Sequence, residues 1–179
     1  MNSRSFSLIP YPDRATPPEV TIAGAIERHN SDLSITYVLR GPLSKLAVPP
    51  AAKVPMRRES LWKETCFEFF IAAGDDDRYW EFNLSPAGHW NVYRFSSYRQ
   101  GMQEEPAFDS LPLTIRVQPN ALKLSLVVDL GRIIRAGQTL SVGVAAVIKT
   151  ADGCRSYWAL NHHGSDPDFH LRDSFVIEQ

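Results

Sequence analysis

Apolar residues along this chain recur at every second position. Val20, Ile22, Gly24 and Ile26 alternate with polar or small residues, and Leu33, Ile35, Tyr37 and Leu39 do the same. So do Leu122, Leu124, Leu126 and Val128, and then Leu140, Val142, Val144, Ala146 and Ile148. Alternation over runs this short marks half-buried strands, because successive side chains leave opposite faces of a sheet. Turn-forming residues separate the runs: His29-Asn30-Ser31-Asp32, Gly74-Asp75-Asp76-Asp77, Ser85-Pro86-Ala87-Gly88, Pro119-Asn120 and Asp152-Gly153. Only residues 129–136 predict helix, a turn or two ended by Gly137. Roughly nine to eleven short strands and no long helix predict an all-β chain, a jelly-roll-like antiparallel β-sandwich. Between Gly41 and Ser60, Pro42, Pro49, Pro50 and Pro55 exclude a central strand. That stretch is a long loop, either the rim of a functional site or a crossover between sheets.

The middle third separates two kinds of face. A strand over Leu61–Ile71 places Leu61, Lys63, Thr65, Phe67, Phe69 and Ile71 on one side and Trp62, Glu64, Cys66, Glu68 and Phe70 on the other. The first set is core from Thr65 onward; the second offers an aromatic plate and two carboxylates. Over Arg78–Pro86, Trp80, Phe82 and Leu84 form an apolar face, and Tyr79, Glu81, Asn83 and Ser85 a polar one. Ser141, Gly143 and Ala145 back the apolar row of the penultimate long run, and Ser125 does the same between Leu124 and Leu126. A sheet face floored by such small residues and walled by Trp62, Glu68, Asn83 and Ser85 leaves volume and supplies directed hydrogen bonds, which suits a hydroxyl-rich small ligand. An ordinary solvated sheet face has the same pattern.

A chain of 179 residues fits one domain over 1–179, with 44% hydrophobic and 22% charged residues in the range of folded soluble proteins. Nineteen Lys and Arg against 20 Asp and Glu leave a net charge of -1, which speaks against nucleic-acid or membrane-surface binding driven by charge. No apolar run reaches the ~18 residues of a membrane span, and the first residues carry no secretory pattern. With two cysteines, Cys66 and Cys154, there is no disulfide framework. A cytoplasmic location follows as an expectation. Open strand edges allow a homodimer without specifying one.

Three of the five histidines, His162, His163 and His170, crowd the C-terminal segment with Asp166 and Asp168. Adjacent His162 and His163 point apart on an extended backbone, so no metal is expected; Asp168 or His170 more readily ties the loop to backbone groups or to a ligand. Asp75-Asp76-Asp77 sits where acidic hairpin tips are routine, so calcium is not expected there either. No nucleophile elbow, phosphate-cradling loop or dinucleotide fingerprint occurs. Glu64 and Glu68, four apart on a strand, lie ~13 Å apart, beyond the usual carboxyl separation of glycoside hydrolases. Glu68 with a carboxylate from another strand stays open, but no motif supports catalysis.

The string Arg58-Glu-Ser-Leu61-Trp62-Lys-Glu-Thr65-Cys66-Phe-Glu68-Phe69-Phe70 resembles a strand of DOMON-like domains. Trp80-Glu81-Phe82-Asn83-Leu-Ser85-Pro86, then Trp90-Asn-Val-Tyr93-Arg-Phe95 and Tyr98-Arg99, resembles the strand pair that follows it there. Tyr157-Trp158-Ala-Leu and Pro167-Asp168-Phe169-His170 are similar to the ending of that group. The resemblance runs in order over residues 4–178. It implies a β-sandwich related to family 9 carbohydrate-binding modules, a group of binding domains that take sugars or haem. In the sugar-binding relatives two tryptophans sandwich the ligand, since an indole covers the apolar face of a pyranose while polar groups meet its hydroxyls. Trp62 matches one plate, and Trp158 or Trp90 the other. Arg58, Glu68, Asn83 and Arg99 are the candidate hydrogen-bonding partners, with Ser85, Asp168 and His170 around them. Arg58 or Arg99 could equally pair with Glu68 as part of the structure.

The expectation is thus a non-enzymatic domain for a carbohydrate-like ligand, with no cofactor. In the haem-binding alternative Met56 or Met102 joins His170 or His162 on the iron, against which stands the polarity of the face. A protein-interaction module using the same aromatic and arginine residues is the third class.

Overall fold

The alternating runs become strands whose apolar sets meet between two layers. The computed structural model describes residues 3–12, 16–74 and 76–179. Among them are β1 (Arg4–Pro10), β2 (Thr21–His29), β3 (Asp32–Arg40), β4 (Cys66–Ala73), β5 (Tyr79–Leu84) and β6 (Trp90–Phe95). β7 (Gln103–Glu104), β8 (Thr114–Gln118), β9 (Ala121–Asp129), β10 (Leu140–Lys149), β11 (Arg155–Ala159) and β12 (Ile177–Glu178) follow. Helical structure among the described residues is confined to 3-10 turns. The strands follow one antiparallel path, β7-β6-β5-β4-β10-β11-β1-β2-β3-β9-β8, with β12 beside β10. β1 makes the corner: residues 4–8 pair with β2, then Ile9 and Pro10 pair with β11. The sheet therefore curls on itself into an all-β antiparallel sandwich.

Leu33, Ile35, Tyr37 and Leu39 on β3 are fully buried against Phe67, Phe69 and Ile71 on β4. Phe69 stacks on Phe82 with ring centroids 4.3 Å apart, and the Tyr37 hydroxyl crosses the core to donate to the Glu68 carbonyl at 2.7 Å. Gly24 is required in its row, since a Cβ there would fall 1.9 Å from the Thr36 carbonyl oxygen.

The other face of the second layer is covered too. Phe70, Tyr79, Tyr93 and Phe95 form a second apolar cluster with Phe175 of the C-terminal segment. Gly143 on β10 makes room for it: a Cβ at that position would lie 2.8 Å from the Phe175 ring. Gly143→Ala is expected to cost about 1–3 kcal/mol by overpacking, read as a lower midpoint of chemical denaturation. An unchanged midpoint would mean the C-terminal segment gives way freely.

Several expectations are corrected. The strand over 61–71 begins only at Cys66, because Ser60 adopts a left-handed φ of 60° and residues Leu61–Lys63 form a 3-10 turn. The helix over 129–136 is one 3-10 turn, Leu130–Arg132, capped by Asp129, whose side chain accepts the Gly131 N–H at 2.8 Å. β1 escaped prediction, although Phe6 and Leu8 alternate inward. Ser125 belongs to the layer remote from Glu68, where its hydroxyl meets that of Thr36 at 2.9 Å. The proline-rich loop is a crossover from β3 to β4. Its Leu46 bridges Thr150, its Arg58 N–H donates to the Trp90 carbonyl at 2.9 Å, and Arg57 stacks over Trp90 at 4.4 Å.

Candidate functional site

Strand register decides what meets on the outer face of the second layer. Glu68 on β4 lies between Ala145 on β10 and Asn83 on β5; Phe70 lies between Gly143 and Glu81. Val147 carries the same face to Tyr157 on β11. The expected floor of small residues is corrected: Phe175 fills the space over Gly143, so the opening beside the two acids lies over Val147, while the turn carrying Trp62 and the segment 167–170 wall it in. The result is a cavity of about 320 Å³, lined by Trp62, Glu68, Glu81, Arg99, Arg155, Tyr157 and His170, with Phe95, Met102, Val147, Pro167 and Phe169 supplying apolar surface. This volume falls within the usual range of small-ligand sites.

The floor is polar and deeply buried. Glu68 is 3% exposed, Glu81 4% and Asn83 fully buried. The Cys66 thiol approaches Asn83 Oδ1 at 3.6 Å, and Asn83 Nδ2 donates to Glu81 Oε1 at 2.8 Å. Among the described residues Glu68 Oε1 is buried with no hydrogen-bond partner. Burial, and then the neighbouring Glu81, push the Glu68 carboxyl well above the usual carboxylate range, against a hydrogen bond with the Cys66 thiol. Burial also pushes Glu81 up to about 7, against the pull of the Asn83 hydrogen bond and of Arg99.

One wall is held by a chain of hydrogen bonds. The Tyr79 hydroxyl accepts the Arg99 backbone N–H at 3.1 Å and meets His170 Nδ1 at 2.8 Å. A hydroxyl that gives its proton to Nδ1 leaves the neutral ring with Nε2–H, 3.9 Å from Glu81 Oε2. Burial first, and Arg99 second, hold His170 down at about 4. Asp168 accepts from the Tyr98 hydroxyl, from Arg99 Nη2 at 2.8 Å and from the His170 N–H at 2.9 Å. Burial works to raise this carboxyl, but the three hydrogen bonds outweigh it and keep it below its usual value. Asp168 thereby pins the segment that carries His170.

Stability carries the signature of this floor. The folded Glu81 carboxyl keeps its proton to higher pH than the unfolded one, so stability falls as pH rises from about 4.5 to about 7. His170, depressed from 6.5 to about 4, acts in the opposite sense over its own window. Glu81→Gln keeps an acceptor for Asn83 and removes the charge. It is expected to gain on the order of 1–2 kcal/mol relative to the parent between pH 5 and pH 8, in chemical denaturation at the two values. An identical difference at both would contradict the burial of an ionising carboxyl.

Of the residues expected at the site, Trp62, Glu68, Arg99 and His170 line the cavity, Asn83 holds Glu81 beneath it, and Asp168 secures its wall. Four are placed elsewhere. Trp90 and Trp158, 3% and 4% exposed, point into the core between the layers, because each shares its strand parity with inward residues (Val92 on β6, Ala146 opposite on β10). The Trp158 indole N–H donates to Ser156 Oγ at 2.9 Å. Ser85 Oγ accepts the Ala87 N–H at 3.1 Å within a turn. Arg58 is exposed and engaged through its backbone, its carbonyl accepting Asn91 Nδ2 at 3.1 Å. Neither Arg58 nor Arg99 forms an ion pair with Glu68 among the described residues.

Glu81, which the sequence places on a polar face without making it a candidate partner, completes the polar lining with Arg155 and Tyr157. Their parity gave them away: Glu81 shares the Asn83 face, and Arg155 and Tyr157 take the face opposite Trp158. Met102 and His170 both border the cavity, whereas Met56 stands exposed on the crossover loop and His162 Nε2 meets the Ile9 carbonyl at 3.0 Å. Among the described residues no three His, Cys, Asp or Glu side chains gather around a common cation position. Asp75 lies outside the described residues, and Asp76 Oδ2 accepts Arg78 Nε at 2.7 Å.

No protein-family model matches the sequence, and no curated protein matches it. Solved structures do match the fold. A protein of Bacteroides uniformis ATCC 8492, named a candidate carbohydrate-binding protein, superposes with a TM-score of 0.71 at 16% identity, over 98% of this chain and 84% of that one. A family 9 carbohydrate-binding module of Caldicellulosiruptor kristjanssonii in complex with glucose superposes with a TM-score of 0.53 at 12% identity, over 92% of this chain and 78% of that one. This chain shares the sandwich fold of those two proteins.

Proposed function

We propose that this chain is a binding domain for a carbohydrate-like polyol, seated in the cavity between Trp62, Glu68 and His170 and not chemically altered there. The observation that carries it is Glu68 Oε1: an oxygen buried with no partner among the described residues, on the floor of a cavity of small-ligand size. An unpaired buried acceptor is costly, and a ligand hydroxyl relieves that cost. Half-buried Trp62 presents indole surface for the apolar face of a sugar ring, and Arg155 and Tyr157 stand at the opening for its remaining hydroxyls. The sugar-binding names of the structural neighbours and the DOMON-like sequence blocks point the same way.

The test is isothermal titration of the purified protein with neutral hexoses, pentoses and disaccharides, preceded by an absorption spectrum. One sugar class should bind, and Glu68→Gln should weaken it by about 1–3 kcal/mol, the scale of leaving a buried hydrogen-bonding group mismatched. A Soret band instead would move the function to haem, with Met102 and His170 as the axial pair. Absence of binding to any sugar, together with capture of a protein by the same face, would leave an interaction module.

A further inference from the structure

The two buried acids have a relation that a neutral sugar does not exploit. Glu68 faces Asn83 across the β4–β5 ladder, and Glu81 lies two residues from Asn83 on β5, so the acids are diagonal neighbours on one face. Side chains so placed start roughly 7–8 Å apart at Cα and reach one another. Both line the same cavity. Among the described residues Glu68 has no ion-pair partner; Glu81 has the 3.9 Å approach of His170, whose ring is neutral, and the more distant pull of Arg99. Buried carboxylates are ordinarily paired with a cation, and among the described residues neither of these has a charged partner in ion-pair contact. The guanidinium groups of the site stand elsewhere: Arg99 is committed to Asp168, and Arg155 is exposed at the opening.

We infer that the missing cation comes with the ligand: the cavity is selective for amino sugars, whose ammonium group sits between the Glu68 and Glu81 carboxylates while the ring lies against Trp62. This rests on the polyol-binding reading above and narrows it. In the empty site burial pushes the Glu68 carboxyl well above its usual range and Glu81 up to about 7. Seating an ammonium ion ionises both, so binding releases protons and strengthens as pH rises toward neutrality, until the ligand amine itself loses its charge. The groups facing the pair are the Cys66 thiol on β4, Tyr79 on β5 and Tyr93 on β6, with Tyr37 of β3 behind Glu68. Burial raises all four above their usual values, so they stay neutral in this range. On the remaining sides stand Tyr157 and Arg155 of β11, Arg99, and Asp168 with His170.

The experiment is calorimetric titration of the intact protein with matched pairs, glucose and glucosamine, galactose and galactosamine, mannose and mannosamine, in buffers of differing ionisation enthalpy between pH 5.5 and 7.5. The expected result is at least tenfold tighter binding of one hexosamine than of its parent hexose, with buffer-dependent heat that reports proton release. The N-acetylated hexosamine, which keeps the position and lacks the charge, should lose that preference. Glu68→Gln and Glu81→Gln should each bring hexosamine and hexose to within about twofold, with cooperative unfolding retained as the control for folding. Equal or tighter binding of the neutral hexose, without proton release, would overturn the amine assignment and leave the polyol reading standing. Absence of binding by every member of all pairs would overturn both.

Discussion

Replacing Phe69 by alanine is expected to cost about 3–5 kcal/mol of folding free energy, the range for removing a fully buried aromatic ring. Phe69 has no exposed surface and lies parallel to Phe82 at 4.3 Å, and Phe82 in turn meets Phe108 edge-on at 5.6 Å. Backbone pairing on both sides of β4 holds the position in place, so the surroundings cannot collapse into the void. The loss should appear in equilibrium denaturation as a lower midpoint with an unchanged slope. Such a change would make Phe69 part of the support for Glu68, its neighbour on the opposite face. A loss below about 1 kcal/mol would show that the two layers are not packed through this ring.

Trp62→Ala is the largest change expected in binding, about 2–4 kcal/mol or roughly 30-fold and upward in the dissociation constant. Stability should move far less. Trp62 sits on a short turn outside the ladder, half-buried, with one ring contact to Tyr93 at 5.7 Å. Titration with the best sugar and denaturation of the same variant separate the two effects. A large loss of stability with binding intact would make Trp62 a cover for the second apolar cluster and not a ligand surface.

The two-residue period was enough to show that the chain is all-β, because it is the direct imprint of a sheet with one buried face. It also separated Phe67, Phe69 and Ile71 from Cys66, Glu68 and Phe70, and Phe82 from Glu81 and Asn83. What periodicity could not supply was a third dimension. Trp62 reads as strand until Ser60 turns left-handed and lifts it off the ladder, and it reaches the cavity from that turn instead. Ser125 has the parity of a floor residue but belongs to the other layer, since pairing partners are not written in a strand's own pattern. Trp90 and Trp158 suit an aromatic plate by residue type, yet their parity with Val92 and Ala146 sends them inward. Arg155 and Tyr157 have the complementary parity, and only the β10–β11 register brings them beside Glu68. The latch of Tyr98, Arg99 and Asp168 joins residues about seventy apart in sequence, a contact no local pattern announces.

The central claim is that a sugar occupies the cavity beside Trp62. The most direct test is a nitrogen–proton correlation spectrum of the four tryptophan indole groups during titration with the tightest-binding sugar. The Trp62 resonance should move to saturation, while Trp80, hydrogen-bonded to Glu105 at 3.0 Å, Trp90 in the core and Trp158, tied to Ser156, stay in place. Movement of Trp90 or Trp158 with Trp62 unchanged would contradict the account, as would four unmoved resonances at a ligand concentration that saturates binding by calorimetry.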